Sequence, residues 1–117
     1  MTSISRAIPA QSLDARVKNR SRLFYSLADA ESRLVDPYAQ CIILDVDGFV
    51  AENKGGNVFA VVDAVLKTPT TENCLAGISR QTALELAKDL GIPTCEARMG
   101  TYDFYTADEL FFTSTPY

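Results

Sequence analysis

The sequence predicts an α/β (α+β) domain in which two main helices pack on a mixed, largely antiparallel sheet. Short apolar runs bounded by turn residues are typical of strands, and two longer segments carry helical periodicity. The resulting order of strand, hairpin, strand, helix, strand and strand agrees with helices covering one sheet. With 117 residues, 47% of them hydrophobic, the chain can form one domain with a modest core.

The sheet prediction depends mainly on residues 41–62. Residues 41–44 (CIIL) form a short apolar run rich in β-branched side chains, which is typical of a buried strand. Residues 45–48 (DVDG) supply Asp and Gly, which tolerate the backbone angles of a tight turn. We expect a second strand over 49–51 and, after a loop, a third strand over 57–62.

One acid and two glycines lie between the second and third strands. Glu52 stands at the predicted end of the second strand, and Gly55 and Gly56 follow in a sharp loop. Such a carboxylate is usually a solvated edge charge, because carboxylates are rarely buried. The alternative is that Glu52 points into a pocket, with glycine backbone beside it for a ligand to approach.

The first helix is predicted within residues 14–31, where apolar side chains recur at helical spacing. Basic residues over 16–22 would oppose the helix macrodipole, so we expect the helix to begin near residues 19–21. Three polar residues would share one face of this helix: Lys18, Ser21 and Tyr25. By spacing alone, Lys18 is an ordinary surface lysine.

The second helix is predicted over residues 81–90. Gly91 is expected to stop it, and Pro93 follows two residues later. Ser79 is a candidate N-cap, and a hydroxyl beside free N–H groups could instead bind an anion. The remaining segments are expected as follows: an irregular stretch at 1–13, a hairpin at 62–69, a strand at 93–99, a short helix or turn at 102–110 and a final strand at 110–115.

Composition narrows the classes of function. The net charge of −4 argues against a nucleic-acid binder, and no apolar run or leader pattern predicts a membrane span or a signal peptide. The three cysteines are widely spaced and predict reduced thiols in a cytoplasmic protein rather than a disulfide or metal site. The absence of histidine removes every catalytic scheme that needs an imidazole.

Four blocks of the sequence resemble one enzyme family. They are V-K-N-R-S-R-L at 17–23, D-x-D-G-F-V-A-E-x-x-x-G-N-V-F at 45–59, L-A-G-I-S-R at 75–80, and A-D-E followed by T-x-T at 107–115. In this order they resemble fold-type IV (class IV) pyridoxal-phosphate enzymes, which include branched-chain and D-amino-acid aminotransferases and aminodeoxychorismate lyases. Ala64 stands where the family usually has a turn glycine, which implies a different type of turn.

The resemblance implies a fold and an activity. The fold would be that of the family's large domain, with a sheet curling toward a pseudo-barrel. Residues 1–117 would form a single, partial cofactor-binding domain that lacks the family's small N-terminal domain and C-terminal end. The activity would be pyridoxal 5'-phosphate-dependent transfer of an amino group from an amino acid or amine to a 2-oxo acid, in a cytoplasmic enzyme that is a homodimer in its full-length form.

The resemblance also implies the roles of particular residues. Lys18 would be the catalytic lysine that forms a Schiff base with the cofactor, and Glu52 would pair with the pyridine nitrogen. Tyr25 would contact the ring hydroxyl. The remaining predicted cofactor contacts lie mostly at the phosphate: Gly55, Ile78, Ser79, Ser114 and Thr115.

Two other functions remain open at this point. A lyase of the same fold would share Lys18 and Glu52, and it would release pyruvate instead of transferring an amino group. A fragment or interaction module with an incomplete site would bind no cofactor and would expose an apolar surface. An RNA- or anion-binding helix over 16–22 is disfavoured by the acidic net charge and the lack of interleaved aromatic residues.

Overall fold

The computed structural model describes residues 2–5, 12, 14, 17, 23–72 and 74–114. In this part of the chain, seven strands and three helices follow one another. They are β1 (Thr2–Ser5), α1 (Leu23–Val35), β2 (Cys41–Leu44), β3 (Val50–Asn53), β4 (Asn57–Val62), β5 (Val65–Thr68), α2 (Ile78–Asp89), β6 (Thr94–Glu96), α3 (Thr101–Tyr105) and β7 (Glu109–Thr113). The predicted mixed α/β class is therefore confirmed, with a third, short helix in addition.

The strands of the described residues divide between two sheets, whereas a single sheet was expected. One sheet has the order β1-β2-β3 and the other the order β6-β5-β4-β7. The pairs β1/β2 and β5/β6 are parallel, and the pairs β2/β3, β4/β5 and β4/β7 are antiparallel. The pairing is therefore mixed and largely antiparallel, as predicted.

The two long helices pack on different sheets. Ala28 of α1 lies in a buried cluster with Cys41 and Ile43 of β2. Ala87 of α2 lies in another cluster with Phe59 of β4 and Leu66 of β5. Small residues on the helix faces let each helix approach its sheet closely, so the helix ends are held in fixed places relative to the strands.

Several boundaries differ from the sequence prediction. Residues 2–5 form a strand inside the stretch expected to be irregular, because they pair in parallel with β2. Helix α1 begins at Leu23, and Asp14 and Val17 lie outside any helix. The expected start at residues 19–21 lies outside the described residues. The strand predicted over 93–99 is only Thr94–Glu96, the part that pairs with β5.

A β-bulge turns Glu52 toward α1. Ile43 is opposite Glu52, but Leu44 is opposite Val50, so Ala51 has no partner in the register. Directly opposed residues of an antiparallel pair share a face, and Ile43 and Leu44 face opposite sides. Val50 and Glu52 therefore point to opposite faces although they are two apart. Glu52 lies one residue before the end of β3, whereas it was predicted at the end of the strand.

The turn between β4 and β5 has two residues in the left-handed region. Asp63 has a φ of 49° and Ala64 a φ of 62°. Two consecutive positive φ values are typical of a type I′ hairpin, whose twist matches that of the flanking strands. Glycine takes this conformation without steric cost, whereas the Cβ of alanine crowds the following carbonyl oxygen.

We predict that Ala64→Gly stabilises the fold. The variant relieves the left-handed strain at Ala64, and we expect a gain of about 0.5–1 kcal/mol in the free energy of unfolding. Urea denaturation followed by circular dichroism measures it. Ala76→Gly is the matched control, because Ala76 is exposed and has no positive φ. An equal gain in both variants would show that strain at Ala64 is not the cause.

Candidate active site

Glu52 is a buried carboxylate whose two oxygens each accept a hydrogen bond. Its residue is only 8% exposed. The Tyr25 hydroxyl of α1 donates to Oε1, and the Leu75 backbone N–H donates to Oε2 at 3.3 Å. These donors come from a helix before β3 and a loop after β5, so the fold gathers distant segments around one acid. A buried position for Glu52 is thus observed, and not that of a solvated edge charge.

The loop that contacts Glu52 is fastened by Asn57 of β4. The Asn57 amide donates to Leu75 O at 2.7 Å and lies 3.8 Å from Cys74 Sγ. The Cys74 thiol donates to Thr70 O at 3.3 Å. Burial, and next the negative charge of Glu52, raise the pKa of Cys74 to about 12. Cys74 is therefore a protonated structural thiol at neutral pH and not a nucleophile.

The start of α2 lies beside the end of β7. The Ser79 hydroxyl donates to Ser114 O at 3.0 Å, so two predicted phosphate residues come together. Ile78 is the first residue of the helix and is 78% exposed. The first N–H groups of a helix lack acceptors within it and carry the positive end of the macrodipole. This end of the molecule can therefore hold an anion.

Ser79 is not the N-cap of α2, contrary to the sequence prediction. Gly77 is the N-cap, with φ −68° and ψ 148°, and Ser79 lies in the first helical turn. A Cβ on Gly77 would lie 2.4 Å from Asn57 Oδ1, so the close approach of Asn57 favours glycine there. The hydroxyl of Ser79 is thus directed to Ser114 and away from a capping role.

The two neighbouring glycines have different surroundings. Gly55 is exposed at the tip of the turn, and its N–H donates to Asn53 Oδ1 at 3.0 Å. A Cβ on Gly56 would lie 2.0 Å from Thr113 O. Thr113 Oγ1 is buried and has no hydrogen-bond partner among the described residues. Sequence reasoning placed Gly56 in the loop that a ligand could approach and assigned no role to Thr113, although Thr113 stands inside a quoted block.

Arg80 was also missed as a structural residue of the site. Its side chain is 4% exposed, donates to Pro69 O at 3.0 Å and pairs with Glu96. Its Nε has no partner among the described residues. Arg80 thereby ties the first turn of α2 to the segment after β5. A single arginine after a turn carries no local signal of burial, since arginine is usually exposed.

Two predicted site residues, Lys18 and Thr115, lie outside the described residues. Of the lysines that are described, Lys54 lies nearest to Glu52 in sequence. Its Nζ pairs with Asp29 of α1 at 2.9 Å. The hydrogen bond from Lys54 holds the pKa of Asp29 below its usual value. Lys54 thus joins the loop after β3 to α1.

Over the described residues, no group of three or more His, Cys, Asp or Glu could hold a metal ion. In the same part of the chain, no helix has the length and apolar character to cross a membrane.

A family model described as amino-transferase class IV matches residues 1–116. The chain belongs to this family. Glu52 and the start of α2 lie in two of the blocks that resembled this family.

Named relatives and solved structures are similar to this chain. The branched-chain-amino-acid aminotransferase of Pseudomonas aeruginosa is 36% identical over 100 residues, covering 86% of this chain and 33% of that protein. The structure of the Thermoproteus uzoniensis branched-chain aminotransferase with norvaline matches with a TM-score of 0.89, 32% identity, and coverage of 97% of this chain and 39% of that one. The T.th. branched-chain amino acid aminotransferase complexed with N-(5'-phosphopyridoxyl)-L-glutamate matches with a TM-score of 0.90, 31% identity, and coverage of 97% and 38%.

The class IV chain thus spans between a third and two fifths of the length of these proteins. The match to the solved structures confirms the expected fold-type IV architecture. It also confirms that the chain corresponds to a part of its relatives.

Proposed function

We propose that residues 1–117 form a partial cofactor-binding domain of a pyridoxal 5'-phosphate-dependent aminotransferase. The observation that carries this proposal is the buried carboxylate of Glu52, which keeps two donors and lies in one network with the loop leading to α2. The relatives of this chain support the proposal. Those reported above are named as aminotransferases, and one of the structures contains a phosphopyridoxyl compound.

The described residues fit the chemistry of this cofactor. A protonated ring nitrogen is stabilised by a carboxylate shielded from water, and Glu52 is a buried acid with a hydrogen-bond donor on each oxygen. A phosphate needs N–H and hydroxyl donors, which the first turn of α2 and Ser79 supply. Thr113, whose backbone carbonyl lies beside Gly56, has a buried Oγ1 with no partner among the described residues, and this hydroxyl is one more donor at the same end of β7.

In the proposed enzyme, Glu52 keeps the pyridine nitrogen protonated, while Ile78, Ser79, Ser114 and Thr115 hold the phosphate. Gly55 lies in the turn between β3 and β4, where open space beside its backbone lets the cofactor approach. Bound pyridoxal phosphate supplies an electron sink for negative charge that develops at the substrate α-carbon. Lys18 is the cofactor lysine, and its Nζ takes the proton from the α-carbon. With no histidine in the chain, an amine is the natural base for this step.

We assign an aliphatic amino acid and a 2-oxo acid as substrates, on the names of the relatives and the norvaline of one structure. The cysteines Cys41, Cys74 and Cys95 are free in the structure and fit a reducing compartment such as the cytoplasm. The homodimer expected from the family stays a prediction.

Glu52→Gln tests the proposal. The amide can still accept from Tyr25, but it cannot both do so and accept from the Leu75 N–H, and it carries no charge for a protonated ring nitrogen. We expect pyridoxal 5'-phosphate to bind to the purified protein with a shifted absorbance band, and to bind about ten- to a hundredfold more weakly to the variant. Adding an aliphatic amino acid should convert the bound cofactor to its amine form.

Glu72→Gln is the matched control, since it removes one charge from an exposed acid at the surface. Equal affinities for all three proteins would overturn the role of Glu52. A parent protein that leaves the spectrum of the free cofactor unchanged would overturn the proposed function itself. Release of pyruvate from aminodeoxychorismate, with no amino transfer, would replace it by the lyase.

A further inference from the structure

We propose that Tyr25 is a positioning residue that orients the Glu52 carboxylate and holds it ionised. The inference rests on the proposed function, because Glu52 acts on a cofactor only there. Tyr25 was expected from the sequence to contact the ring hydroxyl of the cofactor. In the structure the Tyr25 hydroxyl donates a hydrogen bond to Glu52 Oε1, which points to a role toward this acid.

Packing brings the Tyr25 hydroxyl to Glu52. The tyrosine ring packs against the cluster of Ala28, Cys41 and Ile43, and its centroid is 4.1 Å from that of Phe24. Ile43 is directly opposite Glu52 in the β2/β3 register, so both side chains are on the face that α1 covers. A tyrosine side chain has few torsions to fix, and the ring of Tyr25 packs between α1, on which it stands, and β2. The packing of the ring thus holds the Tyr25 hydroxyl at the Glu52 carboxylate.

The two donors fix the orientation of the Glu52 carboxylate. A carboxylate has about four acceptor sites on its two oxygens. Tyr25 uses one site on Oε1 and the Leu75 N–H uses one on Oε2. Because each oxygen has its own donor, the two hydrogen bonds together restrict the rotation of the carboxylate. A cationic donor such as a protonated ring nitrogen therefore meets an acid that is already oriented.

The same donors favour the charged form of a buried acid. Hydrogen bonds to a carboxylate lower its pKa, whereas burial raises it, so removing a donor lets the proton bind at a higher pH. Among the described residues, Tyr25 from α1 donates to Glu52, and Cys74 from the loop before α2 interacts with its charge, while Arg80 and Glu96 act on Cys74 in turn. The residue opposite on β2 is the apolar Ile43. The thiol pKa of about 12 leaves Cys74 neutral over the acid range.

Tyr25→Phe tests the inference, because it removes the donor and keeps the ring. We expect the acid limb of pyridoxal 5'-phosphate binding to move upward by about one pH unit. Infrared titration of the cofactor-free protein should show the protonated carboxyl band of Glu52 appearing at a pH higher by the same amount. The band is assigned by its absence in Glu52→Gln. Tyr38→Phe is the matched control, since Tyr38 is an exposed tyrosine near the end of α1.

Each outcome decides between the roles. In the Glu52→Gln background, Tyr25→Phe should leave the acid limb unchanged, since no carboxylate remains to titrate; a shift that persists would overturn the inference. An unmoved infrared band, or a band that moves while the binding limb does not, would also overturn it. If the parent protein binds no cofactor while the band shifts, the proposed function fails, whereas the action of Tyr25 on the Glu52 carboxylate is supported. A merely structural tyrosine would lower stability and leave both titrations in place.

Discussion

Lys18→Ala is expected to abolish transamination, lowering the rate of amino transfer by about 10⁴-fold or more. The resemblance of the V-K-N-R-S-R-L block implies that this lysine holds the cofactor, as proposed above. The other lysines have different settings. Lys54 pairs with Asp29, Lys67 lies on β5, and Lys88 lies in the last turn of α2. We therefore expect one amine to carry the reaction.

Borohydride reduction of the protein with bound pyridoxal 5'-phosphate, followed by peptide mapping, measures this prediction. The phosphopyridoxyl group should be found on the peptide that contains Lys18, and Lys18→Ala should carry none. Lys88→Ala is the control, because it removes the same charge from an exposed helix end. Label on Lys54, or full activity in Lys18→Ala, would contradict the assignment.

The segments predicted well are those whose signal is local. Residues 41–44 and 57–62 form strands within the predicted bounds, and the tight turn at 45–48 is present with a positive φ at Gly48. The C-terminal stop of α2 is likewise confirmed, since Gly91 has a φ of 73°. Apolar runs and turn residues report such features directly, because the necessary information lies within a few residues.

The features that the sequence could not predict depend on pairing between distant segments. Residues 2–5 form a strand because they pair with β2, and the bulge at Ala51 is defined by the pairing of β3 with β2. Without that bulge, period-two alternation would place Glu52 on the same face as Val50 and away from Tyr25. The sequence therefore identified Glu52 as the candidate acid, but the face to which its side chain points depends on the register between β2 and β3.

The candidate site shows the same division. The family blocks singled out Glu52, Ser79 and Ser114, and the structure places the last two in direct contact. Asn57 was assigned no role, yet it binds Leu75 O and lies against Gly77. Since Leu75 donates to Glu52 and Gly77 caps α2, one amide joins the acid end of the site to the helix end. Such a link spans β4 and a loop, so no local pattern reveals it.

Gly56→Ala is expected to cost about 3 kcal/mol of the free energy of unfolding, because its Cβ would overlap a backbone carbonyl. The new carbon would lie 2.0 Å from Thr113 O and 3.1 Å from Ser114 Cβ. Backbone atoms cannot rotate aside as a flexible side chain can, so β7 must move away from β4 at Asn57, the residue opposite Thr113. The displaced segment carries Ser114, whose carbonyl accepts from Ser79, so the helix end should lose a contact as well.

Gly55→Ala is the matched control for this prediction, one residue away in the same turn. Nothing lies within 4 Å of a Cβ at Gly55, and we expect a change within about 0.5 kcal/mol. Urea denaturation of both variants measures the stability difference, and competition by inorganic phosphate against pyridoxal 5'-phosphate measures the effect on the helix end. Equal stability of the two variants would show that β7 yields without cost. The close approach of Gly56 to β7 would then have no part in holding Ser114 against α2.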